Sequence, residues 1–574
     1  MSLRKPLALL LIAAILLLAG CTAAPAAPAA PAEATAASGE AAAPAPAAEG
    51  EPVRGGTAVV GTPQEPGTLN PLLILATIED VVSSFVIEGL VQIDDQGEFI
   101  PVLAADLPTV SDDGLTVTYQ IKPDVKFSNG DPLTCADVVY TWNAILSEFS
   151  QASTAGYDKI DSIDCPDDTT VVVNFSEVYA PYLRLFAYVL PQAAGDPAQL
   201  DSWEFNRNPI GTGPWMLKDW QAGNYIEFAP NPNYREEGKP YLDGLIVKIL
   251  PSREVGMQLL GTGEILSLWD VTEADFPALD AMKEQGVSYA TARTGENELL
   301  VFNFADPTVD APADASANPH PILNDLRVRQ AIQYAINKQE LADTLLYGNV
   351  NVGTTILPTG DYACPMEPSE FSVEKANALL DEAGWTVGAD GIREKDGVKM
   401  ELKITTTSGN LLREQTQQVL AEMLKVVGIN LVIENVPSDV LFAGWSSDGL
   451  RKHGRFDIVM YTTGPYQDPD SHLRSNYHSA SIPTAENEGS GSNYSRWVNT
   501  DFDAAIDEAA SLTDQAQRHE LFCKAAELIN QDLPRLFLYE RLLVNGYNTK
   551  LQNFKVSPGP SDFTFESQNW WIKE

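Results

Sequence analysis

Apolar residues along the body of the chain switch repeatedly between two spacings. Leu115, Val117, Tyr119 and Ile121 fall at every second position, the period of a half-buried strand. Ser128-Asn129-Gly130-Asp131 then has turn chemistry, and Thr134 with Asp137 three residues on starts a helix predicted to run to about Phe149. Farther along, Asp325 caps a helix whose Val328, Ile332, Ala335 and Ile336 share one face, and Asn337 with Glu340 starts the next. Ser372 opens a helix with Val373, Ala376, Leu379 and Leu380 turned inward, which Gly384 stops. Leu420, Met423, Leu424 and Val427 form another, ending at Gly428 and feeding the alternating strand Ile429, Leu431, Ile433. Strands alternating with amphipathic helices predict an α/β protein with helices covering mixed sheets. No internal repeat is visible. A body of roughly 520 residues is too long for one core and predicts two or three domains.

The first residues follow a different rule. Arg4 and Lys5 precede an apolar run from Leu7 to Ala19, the layout of an export signal and too short for a comfortable membrane span. The run ends in Leu18-Ala19-Gly20-Cys21, which resembles a bacterial lipobox, so residues 1–20 are expected to be removed and Cys21 to carry the lipid anchor. From Thr22 to about Arg54 the chain is Ala, Pro, Gly, Ser and Glu, which cannot build a core. Residues 21–54 therefore read as an anchored tether, with a reach of up to ~100 Å if extended. This places the body outside the cytoplasm, held to the outer face of the membrane.

Charge narrows the partners. With 37 basic against 79 acidic residues, the net charge of −42 repels nucleic acid and anionic lipid headgroups. Beyond Cys21 four cysteines remain, and an exported protein can pair them in three ways. Cys135 with Cys165 is preferred because both lie in one local stretch of strand and helix, leaving Cys364 with Cys523; buried free thiols are the alternative.

Several segments, in order, resemble the bacterial extracellular solute-binding proteins of family 5, the peptide, nickel and oligosaccharide class. They are PQEPGTLNP at 63–71, FSNGDPLTCADVVYTW at 127–142, GTGPW at 211–215 with NPNY at 231–234, DLRVRQAIQYAINKQEL at 325–341 and EKANALLDEAGW at 374–385. The resemblance spans about Gly55 to Glu574. It implies a two-lobed periplasmic-binding-protein-like α/β fold of type II, with an extra subdomain and a ligand cleft between lobes. The chain would cross near Leu300 and Tyr539, giving a first lobe of 55–300 plus 541–574 and a second of 301–540. It also implies a monomeric receptor that meets the permease subunits of an ABC transporter. The ligand would be a peptide or other small organic solute. An oligosaccharide ligand, or a sensory or scaffold role for the same fold, is the alternative.

Enzyme chemistry finds no foothold. The five histidines (His320, His453, His472, His478 and His519) make no HExxH or similar spacing, no GxSxG elbow occurs, and Pro214 removes an amide a phosphate loop would need. Neither a cofactor nor a metal is expected; Asp468-Pro469-Asp470 lacks the further ligands of a calcium loop. By resemblance, Asn303, Trp269, Tyr461, Thr463, Tyr466 and Trp445 are the expected ligand-contacting residues, while Arg474 and Arg496 read as exposed. The positions where relatives place ionic anchors for a peptide fall at Pro465 and near Thr407 and Ser408, none of them charged. An unpaired buried peptide terminus is costly, which argues against a simple dipeptide.

Overall fold

The computed structural model describes residues 51–312, 315–464 and 468–573. The expected export signal, Cys21, the expected tether to residue 50 and Tyr466 lie outside the described residues.

A ten-stranded sheet organises the body. In chain order its strands are β1 (Thr57–Thr62), β2 (Trp215–Gln221), β3 (Tyr225–Pro230), β4 (Gly244–Ile249), β5 (Ser267–Val271), β6 (Val287–Phe302), β7 (Glu401–Thr405), β8 (Asn430–Ile433), β9 (Ile458–Thr463) and β10 (Arg535–Asn548). Their spatial order is β8-β7-β9-β6-β10-β5-β1-β4-β3-β2. Pairing is mixed: β1 runs parallel to β4 and β5, and β7 parallel to β8 and β9, while β6 and β10 pair antiparallel from Val287↔Asn548 to Val301↔Arg535.

The long β6–β10 pair belongs to more than one core. Ala290, Ala292 and Tyr547 pack with Phe85, Trp215, Phe228 and Trp570 in a first core. Leu299–Phe302 and Leu536–Tyr539 pack with Leu402, Ile404, Ile458 and Phe522 in a second. Register shifts in β6 at Arg293/Asn297 and Glu298/Leu299 mark the passage between them. Two separate cores bridged by two long strands are the two-lobed periplasmic-binding-protein fold.

The predicted local elements form for the reasons read from sequence. A smaller four-stranded sheet contains Thr116–Gln120, whose Val117 and Tyr119 are buried. Helix α1 (Thr77–Ser83) precedes it, and α2 (Cys135–Ile145) begins where the Thr134 amide donates to Asp137 Oδ2 at 2.9 Å. Helix α2 stops four residues short of the predicted end, with Leu146 as its cap. In the second core, α3 (Leu326–Ala335), α4 (Lys338–Leu345) and α5 (Val373–Glu382) are capped by the Asp325, Asn337 and Ser372 side chains. Helix α6 (Leu411–Val426) follows, and its chain turns at Gly428 with φ +81°. Then come α7 (Asp470–Tyr477), α8 (Thr500–Ala510) and α9 (Gln515–Asp532). Cys135 is bonded to Cys165, tying α2 to the small sheet, and Cys364 is bonded to Cys523 of α9. No helix among the described residues is long and apolar enough to cross a membrane.

Candidate ligand site

Three of the expected contact residues are buried in packing contacts of the structure. Asn303 is fully buried at the end of β6; its Nδ2 donates to the carbonyls of Gly454 (2.9 Å) and Phe456 (2.8 Å), and its Oδ1 accepts from the Ala305 amide (3.1 Å). With both Nδ2 hydrogens engaged, it is a clamp between loops. Trp269 on β5 is 9% exposed, and its indole N–H donates to Asp562 Oδ2 at 2.8 Å, while Asn545 Nδ2 donates to Asp562 Oδ1 at 2.8 Å. Burial pushes the Asp562 carboxyl up to about 6. Tyr461 on β9, opposite Leu299, is 5% exposed and lies in the second core, its ring 5.3 Å from the Arg451 guanidinium and edge-on to Phe442 at 6.2 Å. The Tyr461 hydroxyl has no hydrogen-bond partner among the described residues.

The others divide. Thr463 ends β9 opposite Asn297, half-buried. Trp445 is half-buried with its ring stacked on His453 at 4.1 Å. Arg474 pairs with Asp507 at 2.7 Å. Arg496 is buried rather than exposed, and donates to the carbonyls of Pro312, Tyr494 and Lys452. Asp468 is held by Arg518 at 2.7 Å.

Sequence reasoning missed a charge network where the long strands pass between the cores. Arg541 of β10 grips Glu273 through two bonds (2.8 and 2.9 Å) and reaches Glu298 of β6 at 3.3 Å. Arg413 of α6 holds the same Glu298 at 2.9 Å, and Thr462 donates to it at 2.7 Å. Glu298 is fully buried, so its charge is tolerated only because these donors surround it.

It also missed a cavity of about 740 Å³, which is walled by α1, by residues 87–93 and 99–102, by Lys122, by residues 183–188, by Arg235 and by residues 560–568. None of its lining residues falls between 301 and 540. Pro214 of GTGPW lines the cavity, and the motif's glycines pack against Val86, next to the lining residues Ile87 and Glu88. Gly213 donates its amide to the Val86 carbonyl at 2.8 Å, and a Cβ on Gly211 would lie 1.9 Å from that same oxygen. Only glycine permits that approach. Between them Thr212 donates to Glu88 Oε2 at 3.0 Å, and Arg235 closes on Glu88 at 2.6 Å. Asn233 of NPNY donates to the Ser128 carbonyl at 3.0 Å, anchoring the following Arg235 segment. The motifs were therefore the signal that could have located the cavity.

Its titratable groups carry both signs. Lys122 donates to the Val102 carbonyl at 2.6 Å and is pulled below the usual lysine range by burial, then by Arg235. Asp80 is pushed up to about 6 by burial. Tyr188 is raised chiefly by burial, with smaller contributions from Tyr157 and Asp80. Arg184 lines both this cavity and a small recess where Phe99 and Tyr182 face Tyr362, Asp468 and Arg518 across the seam between the two cores.

A two-core fold bridged by two strands, with a large mixed-polarity cavity, is the architecture of a solute-binding protein. The profile of the bacterial extracellular solute-binding proteins, family 5 (middle region), matches residues 98–484, and the chain belongs to that family. The nickel-binding periplasmic protein of Escherichia coli is 30% identical over 426 residues, covering 72% of this chain and 76% of that one. The oligopeptide-binding protein AppA of Bacillus subtilis is 26% identical over 532 residues, 90% of this chain and 91% of that one. Its structure in complex with a nonapeptide superposes with a TM-score of 0.63, covering 91% of this chain and all of that one. The ABC transporter substrate-binding protein CtaP of Listeria monocytogenes reaches a TM-score of 0.74 at 22% identity, over 91% of this chain and 100% of that chain.

Proposed function

We propose that this chain is the receptor of an ABC importer, held outside the cell membrane by a lipid on Cys21, and that it captures peptides. The observation that carries the peptide reading is the cavity of about 740 Å³ with carboxylates and cations on its walls, among them Asp80, Glu88, Lys122, Arg184 and Arg235. A peptide brings an ammonium, a carboxylate and a polar backbone, and such a lining can meet all three. The nonapeptide bound to AppA supports the same choice. Nickel held by imidazole is a poorer match, because no histidine lines the cavity. The lobes, 55–300 with 541–574 and 301–540, close about the β6–β10 crossing, and Arg184 marks where the cavity meets the seam.

Native mass spectrometry of freshly purified protein tests the ligand class: retained masses spaced by amino-acid residues are expected. A hexose-spaced series or a bound nickel mass overturns the peptide reading. Cys21→Ser is expected to release the protein from membranes, and pelleting that survives a high-salt wash overturns the anchor.

A further inference from the structure

Arg535, the first residue of β10, is fully buried. Burying a guanidinium is costly unless its charge is paired and its N–H groups find acceptors. Other buried arginines meet one or both conditions. Arg518 holds Asp468 and Arg393 holds Asp381, while Arg329 and Arg496 spend their donors on carbonyls. Arg535 meets neither in full. Its Nη2 donates to Asn476 Oδ1 at 2.9 Å and to the carbonyls of Asn476 and Ser492, both at 3.3 Å. Among the described residues, Nε and Nη1 have no hydrogen-bond partner. The titratable side chains facing it are the phenols of Tyr461, Tyr477 and Tyr494 and the imidazole of His472, none of which brings a negative charge at neutral pH. Two further donors stand beside it. Tyr477 of α7 is 1% exposed, its ring centroid 4.5 Å from the guanidinium carbon, and its hydroxyl meets no group at hydrogen-bonding geometry among the described residues. His472, one turn before Asn476 on α7, meets the Tyr477 ring at 6.5 Å. The Asn476 amide, oriented by Arg535, donates from Nδ2 to His472 Nδ1 at 3.5 Å, which leaves the imidazole proton on Nε2. That Nε2 is also buried and without a partner among the described residues.

We infer that Arg535, His472 and Tyr477 together bind a small monatomic anion of the halide class, chloride being the abundant member, inside the second core. The groups that converge there are donors: the guanidinium Nε–H and Nη1–H, the imidazole Nε2–H and the phenol O–H. A water molecule answers such a set poorly, because it brings no charge and must itself donate. A halide accepts from every side, donates nothing and offsets the guanidinium charge. Burial, then Arg535, pulls the His472 imidazole down to about 3, so the ring is neutral and keeps a single proton for the anion. Burial pushes the Tyr477 phenol up to about 12, so it also keeps its proton at neutral pH. The Tyr477, Trp497 and Phe502 rings pack against one another at 5.0–6.4 Å beside the site. In such apolar surroundings the attraction between an anion and a guanidinium is little screened. The anion would tie the start of β10 to α7, and so act on the stability of the second core rather than on solute capture.

The test uses the intact mature chain and two readouts. In crystals grown with sodium bromide, an anomalous bromide peak is expected within hydrogen-bond reach of Arg535 Nη1 and His472 Nε2. In urea unfolding at fixed pH and ionic strength, chloride is compared with gluconate, an anion too large for the site. The wild-type midpoint is expected to rise with chloride and then level off, as saturation of one site requires. Arg535→Met keeps a long side chain without the charge and is expected to unfold at the same midpoint in both salts, since apolar replacement of a buried ion is often tolerated. Tyr477→Phe keeps the ring and removes one donor. It is expected to raise the chloride concentration for half the effect by ~10-fold, the low end for one hydrogen bond to a charged group. This variant carries the solution test if Arg535→Met does not fold. Water alone beside Arg535 in the bromide crystals, or a wild-type midpoint equal in the two salts, overturns the site. A chloride response that either variant retains unchanged overturns its placement at these residues.

Discussion

Tyr461 is the sharpest place to test the packing of the second core. A buried tyrosine removes about 150–250 Å² from water, and at 5% exposure nearly all of that is realised here. At ~25 cal/mol/Å² this amounts to roughly 4–6 kcal/mol, of which the alanine methyl recovers a part. Tyr461→Ala should therefore destabilise the unliganded protein by roughly 3–5 kcal/mol, in line with other large-to-small core changes. The hydroxyl points the other way. It is buried with no partner among the described residues, so Tyr461→Phe removes a desolvated group and should stay within about 1 kcal/mol of wild type, on the stabilising side. Urea unfolding of unliganded protein followed by circular dichroism measures both. If Tyr461→Ala keeps wild-type stability while peptide capture falls, the ring faces solute and the assignment to the core is wrong. If Tyr461→Phe costs more than about 2 kcal/mol, the hydroxyl has a partner that this reasoning lacks.

Two further outcomes follow from buried groups. Asp562 carries a folded pKa of about 6 against an ordinary 3.8, so the folded state holds its proton longer than the unfolded chain. Its contribution is complete below pH 4 and is lost as pH rises through about 6, by roughly 3 kcal/mol. The stability gap between wild type and Asp562→Asn should shrink by that amount from pH 4 to pH 7 in urea titrations, and a gap independent of pH refutes the assignment. The Cys364–Cys523 bond spans 159 positions and Cys135–Cys165 only 30. Chain entropy then predicts losses of about 5 and about 3.5 kcal/mol for the paired alanine variants, with the reverse order counting against that account.

The sequence by itself determined what short-range chemistry controls. Asp325, Asn337 and Ser372 cap their helices because a side-chain oxygen reaches amides two or three positions away, whatever the rest of the chain does. Gly384 and Gly428 end helices because both adopt positive φ. The family resemblance carried the two-core plan because its motifs are sites of close packing, as Gly211 and Gly213 against Val86 demonstrate. The ligand-facing residues were another matter. Ile458, Val459, Met460 and Tyr461 are all buried, since the central sheet is covered on both faces, and a strand without alternation does not reveal which side meets solute. Asn303 and Trp269 are polar-edged residues whose partners, Gly454, Phe456 and Asp562, lie 151, 153 and 293 positions away. The cavity draws its walls from segments as distant as Pro71 and Gln568. Whether Asp80 or its neighbour Glu79 lines the cavity depends on the rotation of α1 against those walls. Only the assembled tertiary structure decides that, because burial and orientation are properties of long-range packing that no local pattern encodes.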